Sequence, residues 1–174
     1  MTDTLDMKLL TAEDIDTIVN AFATSNWTEK PASIFEAYLL EQSTQERIIW
    51  LAYQNHIFVG YVTMQWQSEY PYFKENSIPE IKDLNVLPNF RNQGVGSALL
   101  DIAEKAAFER SDKIGIGVGL YPDYGAAQRL YVKRSYIPDG HGITYKETSI
   151  KPGDTASVDD DLILWLVKEK QQME

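Results

Sequence analysis

The sequence predicts a mixed α+β domain with helices flanking a β-sheet, and three observations carry that expectation. The chain has 174 residues, 44% hydrophobic and 24% charged, the size and balance of one globular domain, here residues 1–174. Segments with helical periodicity alternate with runs of β-branched and aromatic residues. Strand–helix–strand passages between residues 80 and 121 demand parallel or crossover pairing in part of the sheet.

Residues 5–10 read as a short first strand. Thr11 caps the following helix, with Asp14 three residues on in a capping-box arrangement, and Ile15, Ile18, Val19 and Phe22 form its apolar stripe. A second helix starts near Pro31, a residue suited to a first turn, and carries Ile34, Phe35, Tyr38 and Leu39. RIIWLAY (47–53) and HIFVGYVTMQW (56–66) are strand-like, and only Gln54 and Asn55 separate them, which predicts a hairpin. An irregular stretch, 67–79, leads to the strand EIKDLNV (80–86) and a turn through LPNFRNQ. A helix runs from near Gly94 to Arg110. KIGIGVGLY (113–121) is a strand, AAQRLYVKR (126–134) a helix and DLILWLVKEK (161–170) the last strand. The segment KPGDTASVDDD (151–161) is rich in turn formers and acids and reads as a loop. No internal repeat or dividing linker is visible.

Composition excludes several chemistries. The chain has no cysteine, so disulfides, thiolate metal sites and a cysteine nucleophile are ruled out. The net charge of −10 would repel a phosphate backbone and argues against nucleic-acid binding. It favours a cationic small molecule or basic peptide, although solubility alone also accounts for it. The opening MTDTLDMKLL has acids where a signal peptide carries basic residues. No apolar run approaches the ~20 residues that span a bilayer. The expectation is a cytoplasmic protein without a membrane partner. His56 and His141, the only histidines, lie far apart in sequence, and no metal is expected.

The most informative segment is NVLPNFRNQGVGSALLDIAEKA (85–106). A strand ends at Val86 and Pro88 bars its continuation. Two glycines, Gly94 and Gly96, let backbone approach a ligand as a helix begins. The first amides of that helix have no internal partner and sit at the positive end of its dipole, which suits a pyrophosphate. A P-loop needs Lys-Ser/Thr after its last glycine, and a dinucleotide fingerprint needs a third glycine where Leu99 stands; neither is met. A tight turn into an amphipathic helix is the plain alternative.

Arg91, Gly94 and Gly96 in R-x-x-G-x-G spacing, after EIKDLNV and Pro88, resemble the acetyl-CoA motif of the GNAT superfamily of N-acetyltransferases. AAQRLYVKRSYIPDG (126–140) resembles the same superfamily's A-x-x-L-Y-x-x-x-G-F segment at Ala127, Leu130 and Tyr131. Two departures stand out. Tyr124 replaces a frequent asparagine, and Ser135-Tyr136 replaces Gly-Phe.

The resemblance implies a GNAT-type mixed sheet, centrally splayed, with acetyl-CoA as co-substrate. It implies that backbone groups of Leu84, Asn85 and Val86 bond the pantetheine arm, with the amide near Val86 polarising the thioester. Amides of Asn92, Gln93, Gly94, Val95, Gly96 and Ser97 would hold the pyrophosphate, with Arg91 adding charge and Tyr124 and Ala127 flanking the cofactor. An alkylammonium, with a pKa near ~10.4, must lose a proton before it attacks. Glu80, six residues before Val86, is at the base position of the histone-acetylating members; Asp83 is the other candidate, and both also read as solvated strand-end charges. Tyr131 matches the acid that protonates the departing thiolate, or packs its helix. With cysteine absent, direct attack in a ternary complex is the natural scheme.

The acceptor, a small-molecule or peptide amine, would meet the first helices, the 67–79 loop and the late strands. Trp27, Trp66, Glu69 and Tyr70 offer aromatic faces and a carboxylate for a cation, or simply cover the core. HGITYKE (141–147) offers another wall. Gly115, Gly117 and Gly119 alternate along one strand, leaving room for a ligand or relieving crowding. The aromatic final strand offers a homodimer surface. A protein N-acetyltransferase and a non-catalytic acyl-CoA-binding module remain alternatives.

Overall fold

The computed structural model describes residues 4–171. Its strands hydrogen-bond in a mixed sheet in the order β1 (Leu5–Leu9), β2 (Arg47–Gln54), β3 (Ile57–Gln65), β4 (Glu80–Val86), β5 (Lys113–Gly119), β8 (Leu162–Glu169), β6 (Ile137–Tyr145) and β7 (Thr148–Ser149). The chain divides into two compact units. One runs to Gln65 and includes Lys82–Ala106; the other comprises Trp66–Ile81 and the chain from Ala107 on. Strand β4 (Glu80–Val86) contributes to both.

In the first unit, β1 (Leu5–Leu9) pairs antiparallel with β2 (Arg47–Gln54). The Thr11 amide and hydroxyl both donate to Asp14 Oδ2, at 2.9 and 2.7 Å, as the sequence predicts. A single 3-10 turn intervenes before α1 (Ile15–Thr24), which buries Ile15, Ile18 and Phe22. Pro31 precedes α2 (Ala32–Ser43), where Phe35 is buried. These side chains join Ile49, Leu51, Phe58, Tyr61 and Leu87 in one core cluster.

β2 and β3 (Ile57–Gln65) form the expected hairpin, but Gln54 pairs with Ile57. The two turn residues are therefore Asn55 and His56, with φ of 50° and 67°. Two left-handed residues make the turn whose twist matches the strands. Gly60 then lets β4 come close, since a Cβ there would lie 2.4 Å from the Asn85 carbonyl oxygen. α4 (Val95–Phe108) buries Leu99, Leu100 and Ala103.

In the second unit, β5 (Lys113–Gly119) runs parallel to the start of β4, through Glu80↔Gly115 and Ile81↔Ile116. It is antiparallel to β8 (Leu162–Glu169) from Lys113↔Glu169 to Gly119↔Ile163. The stretch 67–79 is not wholly irregular: Pro71 opens a short helix, α3 (Pro71–Glu75), that buries Phe73. α5 (Gly125–Lys133) follows a 3-10 turn.

Two strands were not expected from sequence. β6 (Ile137–Tyr145) pairs with β8, and a short β7 (Thr148–Ser149) pairs with β6. Pro138, Gly140 and Gly142 interrupt the strand pattern, and the two glycines take φ of 87° and 76° within a register shift between Pro138 and Ile143. Strand identity comes from pairing on β8, where the Trp165 indole donates to Thr144 Oγ1 at 2.8 Å.

The three glycines of β5 are explained by crowding. A Cβ at Gly115 would meet the Phe73 ring at 2.1 Å, one at Gly117 the Ile163 side chain at 2.8 Å, and one at Gly119 the Tyr124 ring at 2.4 Å.

Candidate active site

β4 changes character part-way along. Its register with β5 covers Glu80 and Ile81. Two residues later Asp83 takes φ 56°. A left-handed aspartate costs about 1 kcal/mol in backbone strain. Its carboxylate is correspondingly well held. Oδ1 accepts from Lys30 Nζ at 3.1 Å and from Asn85 Nδ2 at 2.6 Å. Oδ2 accepts from the Tyr38 hydroxyl at 2.8 Å and from the Tyr61 hydroxyl. Burial raises the Asp83 carboxyl, but the Lys30 ammonium and the Tyr61 and Tyr38 hydroxyls outweigh it and bring it below its ordinary value. Burial, with the Asp83 charge, in turn pushes the Tyr38 and Tyr61 hydroxyls up.

The strand beyond Asp83 is tied down as well. Thr63 Oγ1 donates to the Lys82 carbonyl at 2.9 Å, and the Leu87 amide donates to the Val59 carbonyl at 2.9 Å. Asn85 is buried against Gly60.

Glu80 belongs to the second unit. It is 3% exposed, and Ser68 Oγ donates to its Oε2 at 2.5 Å. The Tyr70 amide donates to the same Ser68 oxygen at 3.1 Å. Glu80 is therefore a buried, partnered carboxylate and not a solvated strand end.

The glycine-bearing loop joins β4 to α4. Arg91 Nε donates to the Val86 carbonyl at 3.0 Å, and its guanidinium lies over the Trp27 ring at 4.2 Å. Gln93 Nε2 donates to the Asn89 carbonyl at 2.9 Å. Asn92 and Gly94 are left-handed, with φ of 59° and 87°. A Cβ at Gly94 would meet nothing within 4 Å, so the loop is open there. α4 begins at Val95, and the Ala98 amide donates to the Gly94 carbonyl at 3.0 Å. The amides of Val95, Gly96 and Ser97 precede that first intrahelical bond, as helix-start amides do.

Tyr131 projects from α5 into the second unit's interior, 6% exposed, and burial raises its hydroxyl well above the usual tyrosine range. It stays protonated at neutral pH. Tyr124, in the turn before α5, lies against Gly119 and donates to Asp160 Oδ1 at 2.8 Å; Tyr121 donates to the same oxygen. Ala127 is half-buried on α5.

The acetyltransferase (GNAT) family model matches residues 12–136. The chain belongs to the GNAT family. No curated protein sequence matches it significantly. Solved structures share its fold at low identity. A GNAT acetyltransferase from Streptococcus pneumoniae is 19% identical over 96% of this chain and 100% of its own, with a TM-score of 0.67. A ribosomal-protein-alanine N-acetyltransferase from Brucella melitensis is 16% identical over 95% and 99%, with a TM-score of 0.68. The Salmonella typhimurium protein YncA, solved with its cofactor acetyl-CoA, is 13% identical over 97% and 95%, with a TM-score of 0.67. At such identities the likeness is one of fold.

Within this GNAT chain the four acceptor candidates have separate surroundings. Trp27, 43% exposed, packs against Phe22 and carries the Arg91 guanidinium. Trp66 lies under the Arg110 guanidinium at 4.4 Å. Tyr70 is buried, stacked on Trp165 at 4.2 Å, with its hydroxyl donating to Asp139 Oδ2 at 2.7 Å. Glu69 is exposed. Tyr70 is thus part of the packing, Trp66 is half-buried beneath Arg110, and Trp27 lies against Arg91 of the loop.

Lys30, Tyr61, Ser68, Asp139 and Asp160 carry no signal in the sequence that marks them out, and Tyr38 reads there only as part of a helix stripe. No local spacing links Lys30, Tyr38 or Tyr61 to Asp83. Among the described residues no group of three or more His, Asp or Glu side chains is placed to hold a metal ion, and no helix is long and apolar enough to cross a membrane.

Proposed function

We propose that this chain is an acetyl-CoA-dependent N-acetyltransferase acting on a primary amine, foremost a small cationic one, by direct attack while both substrates are bound. The observation that carries the reading is the open, left-handed Gly94 immediately before the fourteen-residue helix α4, in the family's glycine spacing. Acetyl-CoA supplies an activated acyl group and a thiolate that can leave.

The backbone amides of residues 92–97 bind its pyrophosphate, and Arg91 organises that loop by its bond to Val86. Backbone groups of Leu84, Asn85 and Val86 bond the pantetheine arm, and the amide near Val86 stabilises negative charge as it develops on the thioester oxygen. Tyr124 and Ala127 flank the cofactor. Glu80 takes the proton of the acceptor ammonium, directly or through a water. Tyr131 gives a proton to the thiolate. The charge of −10 supports a cationic acceptor by drawing it in.

Mass spectrometry of amine panels (polyamines, aminoglycosides, amino acids, short peptides) incubated with protein and acetyl-CoA tests the reading. An amine gaining one acetyl group in an enzyme-dependent manner is expected. Acetyl-CoA binding with no acetylated amine in any class would favour a non-catalytic acyl-CoA-binding module.

A further inference from the structure

We infer that Asp83 is a positioning residue: held by Lys30, Tyr38, Tyr61 and Asn85, it fixes the left-handed turn in β4 that aims the backbone of residues 84–86 at the thioester. The inference rests on the acetyltransferase reading above and reassigns the residue that competes with Glu80 for the role of base.

A carboxylate has two oxygens and about four lone-pair sites. At Asp83 each oxygen already accepts two donors: Lys30 Nζ and Asn85 Nδ2 on one, the Tyr38 and Tyr61 hydroxyls on the other. No acceptor site is left for a proton arriving from an amine. The same four contacts draw on three elements. Lys30 precedes α2, Tyr38 lies on it, Tyr61 comes from β3 and Asn85 from β4 itself. They converge on the β4 residue that adopts a left-handed conformation.

The turn redirects the backbone of residues 84–86. In a regular strand these residues would continue to present alternate backbone groups in the register of residues 80–81. A residue at φ 56° rotates the chain and changes which amides face outward. Beyond the turn the strand is fixed by Gly60 against Asn85 and by Arg91 on the Val86 carbonyl. The amide assigned to the thioester therefore lies between two anchors, and Asp83 is the upstream one.

The test uses Asp83→Gly, Asp83→Ala and Asp83→Asn in the full chain. Glycine adopts positive φ without strain, whereas alanine does not. The first readout is the ratio of acetyl-CoA to coenzyme A affinity by calorimetry, which reports the bond to the thioester oxygen and needs no acceptor. The wild type is expected to prefer acetyl-CoA. Asp83→Ala should lose that preference by roughly three- to tenfold, the effect of one misaligned hydrogen bond. Asp83→Gly frees the backbone but removes the same four contacts and should lose it as well, whereas Asp83→Asn, which tolerates positive φ and keeps a side-chain oxygen for the tyrosine hydroxyls, should retain most of it. The second readout is the pH dependence of kcat/KM, whose acidic limb should persist in Asp83→Asn.

A wild-type preference retained by Asp83→Gly or Asp83→Ala, or loss of the acidic limb in Asp83→Asn, would overturn the inference. If Asp83→Ala fails to fold, Tyr38→Phe removes one donor and should shift the same ratio in the same direction; an unchanged ratio would count against the proposal. A wild type that binds neither ligand would instead refute the acetyltransferase reading, and the inference with it.

Discussion

Ser68 holds Glu80 through a 2.5 Å hydrogen bond, and the two residues are 1% and 3% exposed. Ser68 also receives the Tyr70 amide, so the serine hydroxyl is oriented toward the carboxylate and away from its own backbone.

Removing the donor should loosen the Glu80 carboxyl group. Ser68→Ala is expected to lower kcat/KM roughly tenfold. Glu80→Gln is expected to lose roughly 10²- to 10⁴-fold and to abolish the acidic limb of the pH profile. An unaltered limb in Glu80→Gln would eliminate Glu80 as the base.

Tyr131 is buried and its hydroxyl is held protonated, so the ring and the proton can be tested apart. Tyr131→Phe keeps the packing and removes the proton. It should lower kcat roughly 100-fold, with coenzyme A affinity changed by less than about twofold. A matching loss of affinity would make Tyr131 a binding group.

Glycine substitutions should separate by what they meet. Gly60→Ala places a Cβ 2.4 Å from the Asn85 carbonyl oxygen, and backbone cannot swing aside. A loss of about 1–3 kcal/mol in denaturant unfolding is expected, together with weaker acetyl-CoA binding as β4 is displaced. Gly125→Ala meets nothing within 4 Å at the first position of α5. It should be neutral or stabilise by about 0.4–1 kcal/mol.

Acid should loosen the fold through two aspartates. At Asp14 and Asp83 burial raises the carboxyl, but Lys8 and Thr11 at the first, and Lys30 and the tyrosines at the second, bring both below their ordinary value of 3.8. Their stabilisation is present above that value and is lost as pH falls through the lowered folded values. Urea unfolding at a series of pH values between about 2 and 5 should show a shallower slope for Asp83→Asn than for wild type.

How much of this was legible in the sequence depended on whether the cause was local. The Thr11–Asp14 cap, the Pro31 helix start and the glycine loop are encoded within a few residues, and each stands where the sequence places it. The hairpin turn moved by one residue because Asn55 and His56 both take left-handed conformations, a property that Gln54 would have to share under the other register. β6 was hidden by Pro138, Gly140 and Gly142; it exists because β8 offers a partner.

The site divides in the same way. Gly94 and Gly96 announce the loop, whereas the side chains that hold Asp83 come from 53, 45 and 22 residues away. Trp27 reads from the sequence as a cation-binding face, and the chain's own Arg91 guanidinium lies over its ring.

The most direct measurement is free-thiol release from acetyl-CoA, with and without a panel of amines, for wild type and Glu80→Gln. An acceptor-dependent rate that the Glu80→Gln substitution removes is the expected result. Thiol release that no amine accelerates, from a protein that binds acetyl-CoA, would contradict the transferase account.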